Sequence, residues 1–164
     1  MGLFQVALVL ATFLCSLVTG FLFAFAVVVM AGIRKLDDRE FIRAFQAMDG
    51  VIQNNQPLFV VVWLGSVIAL IVAAAIGVGH LDATGRSLLI ASTVAYLLGV
   101  QLPTFTVNVP LNNRLQSLNV ETMDESARKA AREEFEGRWN RWNLIRTVVS
   151  CLVSLLLIGL MLRV

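Results

Sequence analysis

Residues 1–33 contain no charged side chain. A helix of that length reaches about 50 Å at about 1.5 Å per residue, whereas the hydrocarbon core of a bilayer is about 30 Å thick. Such a run points to a membrane helix that tilts, projects from the bilayer, or both. Arg34 and Lys35 end it. Three more apolar runs follow, at about 58–79, 87–108 and 142–162. The composition agrees: 58% of residues are hydrophobic and 15% charged, with mean hydropathy +0.80, against roughly 45–50% and about 25% in soluble domains. The expected fold is all-α: one integral membrane domain over residues 1–164, an antiparallel four-helix bundle with spans at about 3–33, 58–79, 87–108 and 142–162. The second and fourth helices are expected to extend into the cytoplasm.

The first run lacks a basic leader and is far longer than the apolar core of a signal peptide, about 7–15 residues, so it reads as a retained span. Leu14 before Cys15 also argues against a lipoprotein cleavage site, where a small residue is expected. Cys15 and Cys151 both fall inside apolar runs, with no CxxC spacing and no nearby histidine. They read as small buried residues rather than metal ligands, and would meet only if the first and last helices touch.

Asp37-Asp38-Arg39-Glu40 has capping-box spacing, and Phe41, Ile42, Phe45 and Met48 repeat at helical intervals. A surface helix with one apolar face follows from that pattern. Pro57 then either kinks this helix or opens the second span at its first turn. Gly65, Ala69, Ala73 and Gly77 form a small-residue ridge on the second span, and Ala91, Ala95 and Gly99 form another on the third. The short turn at 80–86 makes these spans neighbours, so the two ridges are expected to face each other.

Of the 13 lysines and arginines, only Arg86 and Arg163 belong to the side opposite the first and third connections, and Arg146 lies within the fourth span. The positive-inside rule therefore places 34–57 and 110–141 in the cytoplasm and both termini outside, in a plasma (inner) membrane. Acidic residues interleave with these basic ones, which argues against a nucleic-acid partner.

That topology gathers polar residues near the cytoplasmic interface. Asn108 and Asn112 lie one turn apart at the end of the third span, with Gln101 and Phe105 continuing the stripe. Trp139, Asn143 and Arg146 share a face of the fourth span, with Trp142 beside them, and Gln53 and Asn54 precede the second. Amides hydrogen-bond without titrating, and an arginine stabilises an oxyanion, phenolate or enolate. Together with tryptophan walls, they suit a planar, oxygen-bearing aromatic molecule. A general base is not legible. His80 lies at the opposite face, and nothing in the sequence turns Asp49, Glu133, Glu134 or Glu136 inward. A structural reading stays open beside this one: the tryptophans as interfacial anchors, Arg146 snorkelling, and the asparagines joining helices.

Asn108-Val109-Pro110-Leu111-Asn112-Asn113-Arg114-Leu115, followed by Trp139-Asn140-Arg141-Trp142-Asn143-Leu144-Ile145-Arg146, resembles the anthrone oxygenase-like family of small four-span proteins. The resemblance covers essentially the whole chain, including Phe45-Gln46-Ala47-Met48. It implies an oxygenase that needs no metal, flavin or other cofactor and converts an anthrone to an anthraquinone. Deprotonated anthrone is electron-rich enough to reduce oxygen itself, leaving the protein to bind it and favour its enolate. Arg146 and Asn108 would be the catalytic pair, and Asn112, Trp139, Trp142, Asn143, Gln101 and Phe105 the substrate-binding set. The alternatives are a non-catalytic membrane subunit or scaffold, packing as a homo-oligomer or against a membrane-protein partner, and a small-molecule carrier.

Overall fold

The computed structural model describes residues 2–164. Four helices are long and apolar enough to cross a membrane: α1 (Leu3–Ile33), α3 (Pro57–Gly77), α4 (Ala83–Gln116) and α5 (Glu125–Met161). A fifth, α2 (Asp38–Gln53), connects the first two. Large apolar side chains cover the outside, among them Phe13, 58% exposed, and Leu155, 65% exposed. Water would penalise so much exposed apolar surface, whereas lipid accommodates it. The chain is an integral membrane protein.

Contacts at the two ends set the arrangement. At one end, Gln5 Nε2 donates to the Val164 carbonyl at 2.9 Å, Phe4 stacks on His80 with ring centroids 5.9 Å apart, and Arg163 lies 3.4 Å from Asp82. Both termini and the α3–α4 turn therefore meet there. The other end holds α2 and the long charged part of α5. Arg132 bonds the Leu36 and Arg34 carbonyls and the Asp38 carboxylate, and Glu136 accepts from both Arg34 and Arg132. One core runs between the spans through Leu8, Cys15, Leu70, Leu89, Tyr96 and Leu157. A second, with Phe41, Phe45, Leu111, Leu115, Phe135 and Trp139, packs α2 against α4 and α5.

The Asp37 carboxylate accepts from Glu40 N at 2.8 Å, which starts α2, but no bond returns from the Glu40 side chain. Asn55, at φ 58°, turns the chain after α2, and Pro57 opens α3 at its first turn. The helix expected to prolong the second span is thus a separate element. It is α4 that runs on instead, through Pro110 to Gln116. Its two interior prolines each follow a π turn, Leu97–Gln101 before Pro103 and Thr104–Asn108 before Pro110. A proline lacks an N–H and collides with the carbonyl four residues back; the wider π turn relieves both problems, so the helix continues.

The small-residue ridges do not face each other as expected. A Cβ on Gly65 would lie 3.2 Å from Leu14 of α1, and one on Gly99 would lie 2.7 Å from Val149 of α5. Gly77 alone meets α4, at Leu89, and it meets Phe4 of α1 as well. Close approach is the use of these glycines, but α1 and α5 supply the partners. The two cysteines are free.

Candidate functional site

A cavity of about 430 Å³ lies between α1, α3, α4 and α5, with α2 closing part of one side. That volume falls in the range of small-molecule pockets, about 300–1,000 Å³. Phe25, Phe59, Trp63 and Trp139 supply aromatic wall. Phe59 and Trp63 stack, with centroids 5.4 Å apart.

Arg146 sits deep in this wall and is 4% exposed. Its Nη1 donates to Thr104 Oγ1 at 2.8 Å and its Nη2 to Asn143 Oδ1 at 2.9 Å, while its Nε has no partner among the described residues. The guanidinium carbon stands 6.0 Å from the Trp139 ring centroid. Among the described residues no carboxylate lies within 4.0 Å of it. Asn108, 2% exposed, donates to the Trp139 carbonyl at 3.3 Å and leaves its Oδ1 without a partner. Buried polar atoms are ordinarily bonded, so an unpaired donor and an unpaired acceptor on two residues that line one cavity stand out among the buried polar groups. Asn143 is held by the Leu22 carbonyl, to which its Nδ2 donates at 3.2 Å.

A second polar chain runs toward α2. Trp139 Nε1 donates to Asn112 Oδ1 at 2.7 Å, and Asn112 Nδ2 donates to Asp49 Oδ1 at 2.7 Å. Gln53 and Gln116 donate to Asp49 Oδ2 at 2.8 and 3.1 Å. Asp49 is 4% exposed and is the one carboxylate on the cavity wall among the described residues.

Five of the expected site residues, Arg146, Asn108, Asn112, Trp139 and Asn143, thus come together on this wall. Phe105 lines the cavity too and is 60% exposed. Two do not line it. Gln101 lies behind Trp63, accepting from its Nε1 at 2.9 Å, and Trp142 is half-buried against the α2–α5 core. For Gln101 the reason is local: the π turns change the period of α4, so a stripe spaced for a straight α-helix leaves the wall. Glu134 and Glu136 pair with arginines outside the cavity. Thr104 is the residue that sequence reading missed, and Asp49 is the one of the four candidate carboxylates that lines the cavity. For Asp49 a signal existed, since Phe41, Phe45 and Asp49 recur at every fourth position and place a carboxylate on the apolar face of α2.

The model of the anthrone oxygenase family matches residues 48–156, more than half of the chain. The chain belongs to the anthrone oxygenase family. No curated protein and no solved structure matched it. The stretch matched to the anthrone oxygenase family contains Asp49, Thr104, Asn108, Asn112, Asn143 and Arg146, so the polar wall lies wholly within it. Phe25 and Phe45, which precede the match, contribute only apolar and aromatic surface.

Proposed function

We propose that this protein binds a planar, oxygen-bearing aromatic molecule in the cavity and oxidises it with molecular oxygen, as an anthrone-type oxygenase working without metal or flavin. The observation that carries this reading is Arg146: a residue of the aromatic-walled cavity whose guanidinium is buried, with an unpaired Nε–H and no carboxylate within 4.0 Å among the described residues. A cation so placed is poorly compensated by the protein alone and favours any ligand oxygen that gains negative charge.

The reaction needs little else. Loss of a proton from the methylene of an anthrone leaves an enolate whose charge sits on the carbonyl oxygen, where Arg146 and Asn143 are gathered. Oxygen takes electrons from that carbanion, a C–O bond forms at the former methylene carbon, and loss of water gives the quinone. The sum balances as CH₂ + O₂ giving C=O + H₂O. Trp139 and Phe25 would hold the ring system, Asn108 would accept from a ring hydroxyl, and Asn112 would fix the Trp139 indole.

In the orientation we favour, the cavity opens near the cytoplasmic leaflet of a plasma membrane, with both termini outside. The basic residues of 34–57 and 110–141 lie at the cavity's end of the molecule and support that placement. The test is oxygen uptake by purified protein supplied with a simple anthrone, beside an Arg146→Ala, Asn108→Ala double variant of matched thermal stability. Uptake above the spontaneous rate that vanishes in the variant supports the oxygenase. Uptake no faster than buffer from folded protein leaves a binder or a helix-packing cluster.

A further inference from the structure

We infer that Asp49 is the proton acceptor of this site, taking the proton from the ring carbon that lies across from the oxygen held at Arg146. The inference rests on the aromatic-binding reading above.

An ionised carboxylate offers about four acceptor positions. Asp49 Oδ2 takes two amide donors, Gln53 and Gln116, whereas Oδ1 takes only Asn112. One position on Oδ1 is therefore left, on a side chain that lines the cavity. Among the described residues no lysine, arginine or histidine nitrogen lies within 4.0 Å of Asp49. A link between α2 and α4 made only for stability would be served by an amide, without burying a charge.

Asp49 and Arg146 thus face one apolar cavity as opposite charges that do not pair. Their anchors on α4, Asn112 and Thr104, are eight residues, about two helical turns, apart. A ligand that bridges them must present a proton at one end and develop negative charge at the other. A tricyclic ketone with a methylene across the central ring does this, because its oxygen and its acidic C–H point in opposite directions. Asp49 Oδ1 takes the proton, the C–H bond breaks, and its electron pair passes through the ring to the carbonyl oxygen, which the Arg146 guanidinium meets. The step is a proton transfer with no net oxidation. A simple phenol carries proton and developing charge on the same oxygen and uses only one end of the cavity.

The proton step is separable from oxygen chemistry. Purified protein is mixed with anthrone in D₂O without oxygen, and loss of the methylene signal is followed by proton NMR, with binding read from tryptophan fluorescence, since Trp63 and Trp139 line the cavity. Wild-type protein is expected to exchange the methylene faster than buffer. Asp49→Asn should fall at least about 100-fold, as loss of a general base does, while binding changes by no more than a few-fold, because the aromatic wall and Arg146 are untouched. If Asp49→Asn does not fold, Asp49→Glu keeps the charge and displaces the accepting oxygen, and should slow exchange with binding retained. Exchange at the wild-type rate in either variant overturns the assignment, and so does wild-type protein that binds anthrone without accelerating exchange. Failure to bind anthrone overturns it together with the aromatic-binding reading. Asp49-dependent exchange without oxygen uptake upholds it and removes the oxygenase alone.

Discussion

Replacing Arg146 by methionine asks whether the guanidinium serves the bundle or its ligand. Arg146 makes two hydrogen bonds, to Thr104 and Asn143, and bonds from a charged group contribute about 1.5–3 kcal/mol each. Against them stands the several kcal/mol spent in burying an ion without a counter-ion. These terms nearly cancel. After the change Thr104 still donates to the Val100 carbonyl at 2.6 Å, so only Asn143 Oδ1 is orphaned, at about 1–3 kcal/mol. Methionine keeps most of the packing volume. The net effect on stability is therefore within about 2 kcal/mol of zero, or roughly 8 °C in the unfolding midpoint for a chain of this size. Thermal unfolding in detergent measures it, beside a titration with anthrone. The midpoint is expected to stay within that band while anthrone binding is lost. A drop of about 3 kcal/mol or more, with anthrone binding intact, would show that Arg146 joins helices and that the cavity takes its ligand elsewhere.

Gly77→Ala places a Cβ 2.5 Å from Leu89 Cδ2 and 2.6 Å from the Phe4 ring. It should destabilise by about 1–3 kcal/mol, whereas Gly137→Ala, which meets open space, should be neutral or gain up to about 1 kcal/mol; equal midpoints for the two would refute the packing account. Burial pushes the Glu136 carboxyl up, but the hydrogen bonds from Arg132 and Arg34 outweigh it and hold the group below the usual carboxylate range. Its contribution is then present above the unfolded value of about 4.3 and is lost as pH falls through the lower folded value. The acid loss of stability should shrink in Glu136→Gln, and an unchanged pH profile would remove the cluster's role in holding α2.

The membrane fold was legible because lipid leaves few choices: long uncharged runs must be helices, and their lengths can be counted. The meeting of Asn108, Asn112, Trp139, Asn143 and Arg146 was also legible, since residues one or two turns apart share a face. Partner choice was not. The ridges at Gly65 and Gly99 show that something packs closely there, and a ridge carries no mark of which helix does so. Asp49 was hidden for a related reason. Its helical face could be read from Phe41 and Phe45, but the fold-back of α2 onto α4 depends on Gln46 reaching the Leu115 carbonyl, far along the chain. Gln101 was misplaced because a uniform helical period does not hold across two π turns.

Those turns also bear on how such chains diverge. Each π turn in α4 holds one residue more than the α-helix would, so deleting a single residue between Leu97 and Asn108 restores ordinary winding. A π turn takes its extra residue into one wider turn, so the helix beyond it keeps nearly the facing that one residue fewer of α-helix would give. Asn108 and Asn112 would stay on the wall, while the proline next to the deletion would lose the wider turn that accommodates it. In aligned relatives, a one-position gap in this stretch is therefore expected to go with loss of the neighbouring proline, and the asparagines beyond it to keep their place on the cavity.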